Sequence, residues 1–244
     1  EMSIIDFIKH ALRKAGWQIN RITTMSSSAL QTAKMIKSQN INVVLDIGAN
    51  AGQFGSELRS FGYKGKIVSF EPLPDAHQNL TKKAQHDDDW LVHERCALGS
   101  HAGNIDIHVA GNSVSSSALP MLASHLKSAP QSEYTHTIKA DMITLDSIFA
   151  QYCSNDDAVL IKVDTQGYEW QVLDGALASL QACKGVLIEL SLVPLYENQR
   201  LWLEIHERLK TLNFELHTLQ PVFIDDLTGR TLQMDGIFIK QQNE

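Results

Sequence analysis

Val43-Val44-Leu45-Asp46-Ile47-Gly48-Ala49-Asn50-Ala51-Gly52 is an apolar run that ends in an acidic residue and a glycine turn. Ile41, Val43, Val44 and Leu45 are β-branched at all but one position, which predicts a strand buried on both faces. Phe54, Leu58 and Phe61 then recur at helical spacing, so a helix follows directly. Strand, glycine turn and helix in succession make the first unit of a doubly wound α/β sheet. In such sheets ligands sit beyond the carboxyl ends of the strands.

The glycine spacing narrows the ligand. A dinucleotide fingerprint reads G-x-G-x-x-G, and its second glycine lets a pyrophosphate approach the backbone. Here the glycines are Gly48, Gly52 and Gly55, and Asn50 stands where that second glycine belongs. Asp46 adds a negative charge at the turn, which repels phosphates but suits an ammonium or a sulfonium. S-adenosyl-L-methionine carries both of those cations. A second strand, Lys66-Ile67-Val68-Ser69-Phe70, ends in Glu71. Glu71 follows the turn by about 20 residues, the usual place for a carboxylate that holds ribose hydroxyls. The alternative is plain turn chemistry, with Gly and Asn supplying positive φ.

The chain has 244 residues, 43% of them hydrophobic, enough for one sizeable α/β domain with a small appendage. A net charge of −7 argues against nucleic acid as the main partner. Cys96, Cys153 and Cys183 are odd in number and far apart, implying neither a disulfide framework nor a zinc site. A reducing, cytoplasmic setting is the simplest reading. With no secretory signal and no run of 18 apolar residues, the chain is expected neither to enter nor to span a membrane. Glu1 before Met2 reads as a trimmed or tagged start.

Residues 1–40 read as a helical extension and 41–244 as the main domain. Ile4, Ile5, Ile8, Ala11, Leu12 and Ala15 make an apolar stripe opposite Lys9, Arg13 and Lys14, and a weaker helix passes through Leu30, Ala33, Met35 and Ile36. These helices either cover the core or a homo-oligomeric contact, or wall an acceptor pocket. Pro72 and Pro74 open a helix through Ala76, Leu80 and Ala84. Asp87-Asp88-Asp89 reads as a solvated loop, and no metal ligand set is evident. A strand over Trp90–Leu98 would bring Cys96 and Ala97 beside an adenine. Residues 104–110 and 135–142 suggest an antiparallel pair, and the Ser-, Ala- and Pro-rich segment 111–130 between them suggests either a lid or disorder. Val159-Leu160-Ile161-Lys162-Val163-Asp164-Thr165-Gln166-Gly167-Tyr168-Glu169 repeats the opening design of strand, acid, glycine turn and helix. Leu173, Ala176, Leu177 and Leu180 mark one buried helix face there. A buried strand over 185–191, a helix through Trp202 and Leu209, and a closing hairpin complete the chain.

Taken with Phe70-Glu71-Pro72 and Thr144-Leu145-Asp146, the two glycine turns resemble the FkbM-type methyltransferase family, a branch of the S-adenosylmethionine-dependent class I enzymes. The motifs occur in the family's order over roughly residues 41 to 190, and K-x-D-x-x-G-x-E is the more specific. The resemblance implies a Rossmann-like sheet, mostly parallel, with an antiparallel C-terminal hairpin and helices on both faces. It implies O-methylation of a sugar, glycan or secondary metabolite. It also implies that Gly48, Asn50 and Gly52 hold the methionine part of the cofactor, that Asp46 sits near its amino group, that Glu71 with Pro72 meets the ribose, and that Asp164 lies next to the methyl.

An alcohol must lose its proton during methylation, so a base is expected near the methyl. Asp164 is the first candidate, Glu169 the second and Glu189 the weakest. Lys162, two residues before Asp164, points to the same side of the strand. It either tunes Asp164 or forms a structural ion pair. Two rivals remain: a nicotinamide-dependent oxidoreductase, and a non-catalytic cofactor-binding protein.

Overall fold

The computed structural model describes residues 4–17, 19 and 21–241. Two helices come first, α1 (Ile4–Lys14) and α2 (Ser28–Ser38). The central units are β1 (Val43–Ile47), α3 (Gln53–Ser60), β2 (Lys66–Phe70), α4 (Pro74–Ala84) and β3 (Trp90–Val92). A side layer follows with β4 (Ala97–Leu98), β5 (Gly103–Ala110), α5 (Ala123–Ser128) and β6 (Tyr134–Ile143). The chain then returns to the centre through α6 (Leu145–Tyr152) and β7 (Val159–Val163), and continues with α7 (Glu169–Asp174), α8 (Leu177–Ala182) and β8 (Gly185–Ser191). It closes with α9 (Trp202–Thr211), β9 (Phe214–Ile224) and β10 (Thr231–Lys240).

The main sheet runs β3-β2-β1-β7-β8-β10-β9, with β3 to β8 parallel and β10 antiparallel to both its neighbours. This is the class I methyltransferase arrangement, as the sequence motifs imply. Strand order reverses between β1 and β7, so a crevice opens beyond their carboxyl ends.

Alternation along β1 assigns its two faces. Val43, Leu45 and Ile47 pack with Leu145, Ile148, Leu180 and Leu209 of α6, α8 and α9. Val44 packs with Met35, Leu58 and Leu80 of α2, α3 and α4. Every residue of β1, β7 and β8 is buried, as a parallel sheet covered on both faces requires. Thr144 caps α6 as expected, its side chain accepting from Ser147 N–H. Asp146 serves a second helix: its Oδ2 accepts from Ala178 N–H at 3.0 Å and its Oδ1 from Ser179 N–H at 2.8 Å, capping α8.

Several expectations are corrected. Residues 90–98 are not one strand, because the chain bends at His93–Arg95 and Ala97–Leu98 joins β6 in a separate β4-β6-β5 sheet. The single helix expected after residue 169 is broken at Gly175, where a Cβ would overlap the carbonyl of Gly99, and Leu177 is 48% exposed. α2 covers the sheet, and Gln31 Nε2 donates to Thr218 Oγ1 of β9. The described side chains of α1 are largely exposed, while Ile4 and Ile5 of its predicted stripe have no described side chain. No described helix is long and apolar enough to cross a membrane.

Candidate active site

The first turn is defined by where its amides go. Gly48 and Ala49 N–H both donate to the Phe70 carbonyl at 3.1 Å, and Gly52 N–H to Ala49 O at 2.8 Å. Asn50 N–H donates to Glu71 Oε2 at 2.7 Å, and Ala51 N–H to Asn50 Oδ1 at 2.8 Å. All five amides are engaged, so none is left to receive a pyrophosphate. Gly48 is required here twice over. Its φ is +73°, and a Cβ would run into the Asp164 carbonyl at the head of the second turn. The two turns therefore touch, backbone to backbone, across the switch point.

Beyond them lies a cavity of about 440 Å³, within the usual range for small-molecule sites. Glu71 enters its wall with Oε1 accepting from Leu73 N–H at 2.8 Å and Oε2 held by Asn50. Each oxygen keeps a second lone pair for a ligand hydroxyl. Pro72, Leu73, Cys96, Ala97 and Leu98 make an apolar flank, extended by Ile105 and Ile107 of β5. Cys96 and Ala97 thus line the cavity even though the strand expected to carry them is split. The 111–130 segment is folded, with α5 and a Pro130–Ser132 3₁₀ turn. Its Ser113, Ser116 and Ser117 face the cavity, and Ser117 Oγ donates to Gln166 O at 2.6 Å.

The acidic residues separate sharply. Register places Asp46 between Ser69 and Lys162 on adjacent strands. Asp46 is fully buried and lies beneath the turn rather than in the cavity wall. Lys162 lines the cavity above it, with Nζ 3.1 Å from Asp46 Oδ1. Nζ also donates to Gly48 O at 3.0 Å and lies 3.6 Å from Asp164 Oδ2. Asp164 lines the cavity with its side chain 37% exposed, and Oδ1 accepts from Gln166 Nε2 at 2.8 Å. Glu169 turns away from the cavity. Its Oε1 accepts from Thr165 N–H at 3.0 Å and Gly167 N–H at 3.1 Å, so the second base candidate is a clamp on its own turn. Glu189 is likewise withdrawn, with Oε2 accepting from Gln166 and Gln233.

The family model for the methyltransferase FkbM domain matches residues 46–216, from the first turn into β9. The chain belongs to the FkbM methyltransferase family. It is 25% identical over 154 residues to the hexuronic acid methyltransferase AglP of Haloferax volcanii. That match covers 63% of this chain and 58% of AglP, so the chain spans less than two thirds of that relative's length. Among solved structures it is similar to magnesium protoporphyrin IX methyltransferase (ChlM) from Synechocystis PCC 6803 with bound SAM, at 9% identity and a TM-score of 0.49, covering 88% of this chain and 77% of that one. TehB from Haemophilus influenzae gives 12% identity and 0.48, covering 91% and 64%.

Two wall residues of this FkbM site escape sequence reading. Asp235 of β10 reaches the cavity, and Gln166, at φ +53°, bridges Asp164 and Glu189. Asp235, an acid beside Gly236 in the otherwise mostly apolar closing strand, is the available signal. Only the antiparallel register with Glu189 gives it meaning.

Burial pushes the carboxyls of Glu71, Glu169 and Asp235 up to about 7, and the Asp164 charge adds to the effect on Asp235. In the unfolded chain such groups titrate near about 4. Between those limits the folded state holds protons that the unfolded state has lost. Their stabilising contribution is therefore complete below the lower limit and disappears as pH rises towards 7. The melting temperature should fall from about pH 5.5 to about pH 7.5, and Glu169→Gln should flatten the decline. A thermal melt series at fixed ionic strength checks this; an equal slope in wild type and variant would refute it.

Proposed function

We propose that this chain is an S-adenosylmethionine-dependent methyltransferase that methylates a hydroxyl of a sugar, glycan or secondary metabolite. The observation that carries the reading is the turn whose five amides are all engaged, one of them by Glu71 at the cavity edge. That donor set suits a cofactor with a ribose diol and no phosphate. The cavity size and the cradle at Gly48 suit it as well. AglP, whose name specifies a hexuronic acid, lends support to a sugar-type acceptor.

When bound, the cofactor supplies an electrophilic methyl group on a sulfonium. The chain's own residues align and deprotonate the acceptor. Glu71 would receive the ribose hydroxyls, while Pro72, Leu73, Cys96 and Ala97 enclose the base. Asp164 would accept the acceptor's hydroxyl proton on its exposed carboxylate, with Gln166 fixing that carboxylate's orientation.

Calorimetric titration with S-adenosylmethionine and NADH, followed by transfer of a labelled methyl group to a panel of hydroxylated acceptors, tests the reading. Only the first ligand should bind. Glu71→Ala should weaken it about 10–100-fold, the value of one or more hydrogen bonds to a charged group. Tight NADH binding would favour an oxidoreductase. Cofactor binding without transfer to any acceptor would favour a non-catalytic binding protein.

A further inference from the structure

Along the sheet, Glu71 lies on one side of β1, and the tips of β7, β8 and β10 lie on the other. Glu57, Asp164 and Asp235 line the cavity on that side, and Gln53 and Gln166 also line it. Three carboxyl groups therefore face one space. The only basic side chain in the wall, among the described residues, is Lys162. Its ammonium is committed to Asp46, Asp164 and the Gly48 carbonyl. Nothing there is placed to receive an anion.

Asp235 differs from its neighbours. Glu189, opposite it in register, accepts from two glutamines, and Asp164 accepts from one. The Asp235 side chain makes no hydrogen bond or ion pair among the described residues, although it is half-buried. Its carboxyl lines the cavity with its hydrogen-bonding capacity unused by the protein, so a ligand hydroxyl can donate to it there.

We infer that this end of the cavity takes an uncharged polyhydroxy acceptor, one of whose hydroxyls donates to Asp235, and rejects acceptors that carry a carboxylate. The inference rests on the methyltransferase reading and narrows its acceptor class. An acceptor carboxylate would enter a space lined by three carboxyl groups and by one lysine already paired with Asp46 and Asp164. A sugar hydroxyl can donate to Asp235, and Gln53, Ser113 and Ser116 elsewhere in the wall can serve the remaining hydroxyls.

The test is binding rather than turnover. The whole chain is saturated with S-adenosylhomocysteine and titrated with methyl glucopyranoside or methyl glucopyranosiduronate, followed by saturation-transfer NMR. The neutral glycoside should bind at least about tenfold more tightly than the uronate. Asp235→Asn should weaken the neutral glycoside and tighten the uronate, whereas a merely structural role would move both in the same direction. Equal or tighter binding of the uronate to the wild type would overturn the inference. So would binding of neither glycoside to the loaded protein, which would leave the cofactor reading intact. Failure of S-adenosylhomocysteine itself to bind would remove both.

Discussion

Lys162→Met is expected to lower the unfolding free energy by about 3–5 kcal/mol, the usual cost of leaving one partner of a buried ion pair behind. At roughly 2–4 °C per kcal/mol for a chain of this size, the melting temperature should drop by about 6–20 °C. Lys162 and Asp46 face each other across the β1–β7 register, and Asp46 is fully buried. Burial alone would lower the Lys162 ammonium; Asp46 and Asp164 more than offset that and hold it above its ordinary value. Removing the ammonium leaves the Asp46 carboxylate with only Ser69 Oγ, a donor at 3.5 Å. It also strips the Gly48 carbonyl of its donor. The double variant Asp46→Leu/Lys162→Met separates pair loss from packing. Removing both charges should recover much of the loss, because a buried pair replaced by apolar groups is often neutral. A chemical denaturation series measures all three variants. If Lys162→Met alone stayed within about 1 kcal/mol of wild type, the pair would not hold the switch point together.

The same pair marks the boundary of what the sequence discloses. Parallel strands buried on both faces are apolar at most positions, so Val43–Ile47 and Val159–Val163 announce themselves even though each carries one charge, and the glycine turns after them locate the crevice. Which strands become neighbours is a long-range fact. From the sequence, Lys162 looks paired with Asp164, two residues away; its shortest ion pair in the fold is with Asp46, 116 positions earlier. Glu169 reads as a base because it follows a glycine turn, but a carboxylate at that offset can equally fold back onto the turn's amides. Asp235 is not legible because its place depends on an antiparallel register that no local period encodes. The bend at His93–Arg95 is of the same kind, since it is set by a second sheet that no residue near it signals.

Asp164→Asn should reduce the rate of methyl transfer by about 10²–10⁴-fold, the usual contribution of a general base, while leaving cofactor affinity unchanged. The substitution is close to isosteric. The amide oxygen it introduces can still accept from Gln166, and the backbone contact of this position with Gly48 is untouched. What it removes is the charge that takes the acceptor's proton. Alignment of two bound molecules would survive and can itself be worth effective molarities of about 10⁵–10⁸ M, so residual transfer above the uncatalysed rate is expected. Single-turnover transfer from methyl-labelled cofactor, with the acceptor identified in the transfer screen, measures the loss, and calorimetry measures the affinity. Asp235→Asn is the necessary comparison, because Asp235 also lines that end of the cavity and its carboxyl is pushed up to about 7 by burial and by Asp164. If Asp164 is the base, its variant loses rate at saturating acceptor, whereas the Asp235 variant loses mainly acceptor affinity. A nearly unchanged rate in Asp164→Asn, together with a collapse in Asp235→Asn, would move proton removal from the tip of β7 to β10.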